Sequence, residues 1–154
     1  MAKIELDVFY PFEPELVWDA LTDRESLNQW LMENDFVPRV GHRFQFRTKP
    51  QGGWDGVVNC EVLQVNKPQL LSYTWTGGGH QTIVSWNLAR TQTGTRLTLR
   101  HTGFRGIGGF VLSKLVLGPG WKKMLRKFMP LVLNHIKQNG LTFSSELKLK
   151  EQCH

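Results

Sequence analysis

The sequence predicts an α+β domain: a curved antiparallel sheet of six to seven strands around a long C-terminal helix, with two short helices after the first strand. Three observations carry this. Short runs of alternating apolar and polar residues recur between residues 36 and 102, separated by turns rich in Gly and Pro. These runs follow one another without intervening helices, as in a meander and unlike βαβ units. The long apolar stripe at helical spacing (Trp121, Leu125, Phe128, Val132, Ile136) comes only at the end.

Lys3–Tyr10 opens the chain as a half-buried strand, with Ile4, Leu6 and Val8 alternating against Lys3, Glu5 and Asp7. Pro11 and Pro14 end it, and Pro14 suits the first turn of a helix, where its missing N–H costs nothing. Glu13, Glu15 and Asp19 complement the positive end of that helix, and Leu16, Val17, Ala20 and Leu21 form its apolar face. Thr22-Asp23-Arg24-Glu25 has capping-box spacing and starts a second short helix carrying Leu27, Trp30 and Leu31.

Strands are then expected at Phe36–Val40, Arg43–Thr48, Gly56–Asn66, Leu70–Thr76, Gln81–Thr91 and Thr95–Thr102. Their inward sets include Phe44 and Phe46, then Leu71, Tyr73 and Trp75, then Thr82, Val84, Trp86 and Leu88, and finally Leu97, Leu99 and His101. Gly103–Gly120 holds six Gly and reads as a mobile connection with one short helix, a hinged lid or a plain packed link. Trp121–Gln138 is the long helix, kinked by Pro130 and capped by Gly140. Residues 1–140 form a single domain, and 141–154 a polar tail without strong periodicity.

Composition narrows the function classes. With 40% hydrophobic and 21% charged residues in 154, the chain has the apolar supply for one packed core. The net charge of +6 is uneven: residues 1–120 contribute +1 and residues 121–154 contribute +5. That concentration argues against the broad basic face of a nucleic-acid-binding domain. Lys122, Lys123, Arg126 and Lys127 read as a solvated helix face, an anionic lipid contact or a site for an acidic protein. No apolar run reaches the roughly 20 residues of a membrane span, so no integral membrane association is expected. Two cysteines, Cys60 and Cys153, make no disulfide framework or zinc pattern, and the N-terminus has charges where a signal peptide is apolar. A cytoplasmic protein with free thiols is the expectation. His42, His80, His101, His135 and His154 are scattered without metal-ligand spacing, so no metal or other cofactor is expected. Gly106-Ile107-Gly108-Gly109 lacks the third Gly of a dinucleotide fingerprint, because position 111 is Val.

Several segments then resemble one family in order and spacing over about residues 3–138: Pro14–Thr22 with Leu27-Asn28-Gln29-Trp30, Gly41 before Phe44 and Phe46, Gly56-Val57-Val58, Leu70–Trp75, Gly94–Phe104, and Gly120-Trp121. The chain resembles the activator of Hsp90 ATPase homologue 1-like family, within the START/Bet v 1-like (SRPBCC) superfamily. The resemblance implies a helix-grip fold and a hydrophobic pocket between sheet and helix. It implies no single activity, since superfamily members bind lipids, polyketides and hormones, and some are cyclases or hydrolases. The apolar, Gly-rich stretch 104–118 and the tail after Gly140 depart from the family's pattern. The eukaryotic co-chaperone docks through a separate N-terminal domain with no counterpart here, which weakens a chaperone as the implied partner.

The leading expectation is a binder of a hydrophobic or amphipathic small molecule, lipid or polyketide-like. Phe44, Phe46, Tyr73, Trp75, Trp86, Leu99 and His101 would line the pocket from the sheet, and Trp121, Leu125 and Phe128 from the helix. His101 is either a core histidine or an acid/base group; the sequence names no orienting partner, and Glu33, Asp35 and Asp55 are loop acids that either approach it or are solvated. Cys60 reads as a small core residue beside Val58 and Val62. The alternatives are a cyclase/hydratase-type enzyme using His101 and a chaperone-linked interaction module using the basic helix and tail.

Overall fold

The computed structural model describes residues 2–152; Cys153 and His154 lie outside the described residues. The elements run β1 (Ala2–Tyr10), α1 (Pro14–Thr22), α2 (Arg24–Trp30), β2 (Glu33–Asn34), β3 (Arg43–Arg47), β4 (Val57–Asn66), β5 (Leu70–Gly77), β6 (His80–Arg90) and β7 (Thr95–Phe104). The C-terminal helix, residues 106–139, follows as one run of 34 residues, and a 3-10 turn at Leu149–Gln152 ends the described chain.

The seven strands make one open, curved antiparallel sheet in the order β1-β7-β6-β5-β4-β3-β2. Only one face is apolar, and the period-two pattern registers that face throughout. Phe44, Phe46, Val58, Cys60, Val62, Leu71, Tyr73, Trp75, Val84, Trp86, Leu97, Leu99 and His101 are all buried on it. The helices close over this face, and the core lies between. The opposite face carries exposed pairs such as Lys3–Glu5 and Arg100–Glu5, which contribute little in water. Cys60 sits in the core as expected, and burial pushes its thiol pKa up, making it unreactive.

Local expectations are corrected. The capping box starts one residue late: Asp23 Oδ2 accepts from the Ser26 N–H (3.0 Å) and Oγ (2.9 Å), while the Thr22 hydroxyl turns back to the Trp18 carbonyl as α1 ends. Phe36–Val40 is not a strand; the Asn34 side chain takes the Phe36 N–H that a ladder would use. Gly103–Gly120 is not a loose connection but mostly the first half of the helix. Gly109 lets that half approach β7, since a Cβ there would stand 3.0 Å from the Phe104 backbone.

The helix alternates between α and π geometry, with π segments at Leu112–Leu117 and Met124–Phe128. The second precedes Pro130, which therefore sits near the start of a fresh α segment, Met129–Asn139, instead of breaking a regular helix. The extra residue per turn also shifts the buried stripe. After Trp121 and Leu125 the inward position falls on Met129, and Phe128 rotates outward to half-burial. Gly140 ends the helix at φ 71°. Beyond it the chain folds back on α2: Gln29 bonds the Leu147 carbonyl (3.0 Å) and the Leu149 N–H (2.9 Å), and Lys150 Nζ donates to the Leu31 carbonyl (2.8 Å).

Candidate functional site

Strands β5, β6 and β7 place three inward rows side by side. Register sets Trp75 opposite Thr82, Val84 opposite both Tyr73 and His101, and Trp86 opposite Leu99. The helix lowers Trp121 onto these rows, 5.3 Å from Trp75 and 5.4 Å from Trp86 by ring centroids. From the β3 side, Phe44 and Phe46 stand 5.3 Å apart, with Phe44 5.4 Å from Tyr73 and Phe46 5.5 Å from Trp75. Most contacts are edge-to-face or tilted, the arrangements aromatic quadrupoles favour.

A polar chain runs through this apolar cluster. The Trp121 indole N–H donates to His101 Nδ1 (3.1 Å). An indole only donates, so Nδ1 accepts and the imidazole proton is assigned to Nε2. Nε2–H then donates to Thr82 Oγ1 (2.7 Å), whose hydroxyl donates to the Trp75 carbonyl (2.7 Å). Phe104 packs on the imidazole at 4.6 Å. Burial lowers the His101 pKa to about 3, so the ring is neutral near pH 7. Beside it, Trp86 Nε1–H donates to the Tyr73 hydroxyl (3.0 Å).

The ten side chains predicted to line a pocket therefore divide. Phe44, Phe46, Tyr73, Trp75, Trp86, His101 and Trp121 form one contiguous ring cluster. Leu99 and Leu125 are buried in the same core, whereas Phe128 lies at its edge with Lys123 Nζ 5.6 Å over its ring. The acids considered as partners for His101 are engaged elsewhere: Asp35 accepts from the Gln45 N–H (2.8 Å) and Asp55 from the Val57 N–H (3.0 Å), and Glu33 lies on edge strand β2. Among the described residues no group of three His, Cys, Asp or Glu could hold a metal. Thr82, Phe104, Tyr10 and Met129 belong to the site and were not singled out from sequence. Thr82 had a readable signal, its alternation with Val84 and Trp86, but its bond to His101 depends on strand register.

Several clefts open at the surface. A mainly apolar one of about 310 Å³ follows the seam between β1 and the helix, lined by Val8, Tyr10, Phe12, Leu125 and Pro130 among others. A larger polar one of about 610 Å³ lies between α2 and residues 144–151 and shares no residue with the aromatic cluster. The seam cleft touches a predicted lining residue, Leu125.

Comparison with known proteins agrees with this architecture. A family model described as "Activator of Hsp90 ATPase homolog 1-like protein" matches residues 11–132. No curated protein matches the sequence. Among solved structures, protein MLL2253 from Mesorhizobium loti is 30% identical, with a TM-score of 0.73 over 90% of this chain and 98% of that one. CalU16 from Micromonospora echinospora is 24% identical with a TM-score of 0.67, over 90% of this chain and 80% of that one. DynU16, from the dynemicin biosynthetic locus, is 21% identical with a TM-score of 0.70, over 90% of this chain but 48% of that one. The last two support the fold alone. Among the described residues no helix is long and apolar enough to cross a membrane.

Proposed function

Since the chain belongs to the activator of Hsp90 ATPase homologue 1-like family, we propose that it binds a hydrophobic or amphipathic small molecule, lipid or polyketide-like, between its sheet and C-terminal helix. The observation that carries the reading is the aromatic cluster around the Trp121–His101–Thr82 chain, which combines a large apolar surface with polar groups at its centre. The rings pack on one another, so on this reading a guest enters by parting them. The seam cleft at Tyr10 and Leu125 is the entry point, beside the π segment at Met124–Phe128, where the helix leaves α geometry. Apolar burial drives binding at roughly 25 cal/mol per Å², offset by the cost of opening the cluster.

The test is a thermal-shift panel of fatty acids, sterols and polycyclic aromatics, with native mass spectrometry of the purified chain and Trp fluorescence as the reporter of entry. Binders raise the melting temperature and change Trp75 and Trp121 emission. If no compound does either and nothing co-purifies, the reading fails. The enzymatic alternative asks His101 to transfer protons, yet Nδ1 is occupied by Trp121 and Nε2 is committed to Thr82. The chaperone-linked alternative rests on the charge of the basic helix face and tail.

A further inference from the structure

The outer side of the C-terminal helix falls into two blocks. Of the nine large hydrophobic residues that are clearly exposed among the described residues, five lie within ten residues: Ile107, Phe110, Val111, Leu115 and Val116. Ile107 is 85% exposed and Leu115 72%, so they project from a convex helix and line no groove. Lys114 stands among them, and further along Lys122, Lys123 and Arg126 occupy the same outer strip. The inward spine is separate, with Gly109, Ser113, Gly118, Trp121 and Leu125 all buried. From Phe110 to Lys123 is about 20 Å along the axis. The strip is thus an apolar end continuing into a basic end on one surface.

No carboxylate interrupts it in sequence. Between Glu61 and Glu146 the sequence has no Asp or Glu, while eleven Lys and Arg fall in that interval. We propose that this strip is a peripheral docking face for an anionic lipid surface. Ile107, Phe110, Val111 and Leu115 enter the boundary between headgroups and acyl chains, and Lys114, Lys122, Lys123 and Arg126 meet the headgroups. A fluid bilayer needs no matching pocket, which suits side chains on a convex ridge. A second copy suits it poorly: a two-fold axis through the apolar block faces Lys114 with Lys114, and one through the strip's centre sets basic end against apolar end. The inference rests on the outer strip alone and is independent of whether the core takes a guest.

The experiment is co-sedimentation of the whole chain with vesicles of phosphatidylcholine, with and without phosphatidylserine. The chain should pellet with the serine-containing vesicles only, and salt should release it. Lys122→Gln with Lys123→Gln should weaken binding about thirtyfold. Ile107→Ser with Leu115→Ser should weaken it at least about tenfold, and both are solvent-facing, so melting temperature should not change. No pelleting with phosphatidylserine vesicles at low salt overturns the proposal. So does binding that the Ile107/Leu115 pair leaves unchanged, or equally tight capture by polyglutamate, which would assign the face to an acidic protein. A dimer in sedimentation velocity that Leu115→Ser disperses would assign it to a second copy and also overturn it.

Discussion

The Tyr10 hydroxyl donates a hydrogen bond to the Leu125 carbonyl, 115 residues away in sequence, and Pro130 is why that carbonyl needs it. In the π segment Met124–Phe128 the Met129 N–H reaches back five residues to the Met124 carbonyl. The Leu125 carbonyl would take the next donor, but that residue is Pro130, which has no N–H. Tyr10, at the end of the edge strand, supplies the missing donor from outside the helix. Burial raises its pKa, so the hydroxyl stays protonated and able to donate.

Tyr10→Phe should therefore destabilise the fold by about 1–3 kcal/mol, the cost of a buried carbonyl left unpaired. Pro130→Ala restores an N–H at that position, so in the Pro130→Ala background the same Tyr10→Phe change should cost well under half as much. Urea unfolding of the four variants in a double-mutant cycle measures the coupling. An identical cost in both backgrounds would disconnect Tyr10 from Pro130.

His101 makes stability depend on acid. Its folded pKa, about 3, lies below the ordinary 6.5, so between these values the unfolded chain binds a proton that the folded chain refuses. The contribution is complete above pH 6.5 and is lost as pH falls, at about 1.4 kcal/mol per unit, to a total of roughly 5 kcal/mol. His101→Gln should flatten this limb between pH 6.5 and pH 4.5 relative to the unmutated chain. Equal slopes in the two proteins would show that His101 is not the group refusing protons.

Trp121 holds the acceptor side of that imidazole. Trp121→Phe keeps an aromatic ring but removes the N–H, leaving His101 Nδ1 unpaired and a gap beside Trp75 and Trp86. The expected cost is about 2–4 kcal/mol. Freed of the indole donor, Nδ1 can take a proton, so the His101 pKa should rise toward neutrality. Imidazole chemical shifts across a pH titration read this directly; an unmoved midpoint would mean that burial alone holds the ring neutral.

The strands were legible because one face of the sheet is buried and the other is wet, so the inward row from Phe44 to His101 could be read two residues at a time. What lies across strands was not. Thr82 visibly faced inward, but its place under His101 needs the β6–β7 register. Phe128 was read as inward on a 3.6-residue period, and the π segment, which no local composition announces, handed that position to Met129. Six glycines made residues 103–120 read as a connection, because propensity counts each as a cost while packing can require it.

Two neighbouring glycines separate those effects. At Gly109 a Cβ would stand 3.0 Å from the Phe104 carbonyl carbon and 3.3 Å from its Cα, atoms of the backbone that cannot swing aside. At Gly108 the nearest atoms are the ring of His80 at 3.6 Å, an ordinary contact. Both sit in the first α-helical stretch, where alanine is intrinsically favoured by roughly 0.5–1 kcal/mol. Gly108→Ala should therefore stabilise the protein by a few tenths of a kcal/mol up to that limit. Gly109→Ala should destabilise it by about 1–3 kcal/mol, because the helix must move away from β7. Thermal denaturation of the two variants decides the point, and a stabilising Gly109→Ala would show that the helix start is not pressed against the end of β7.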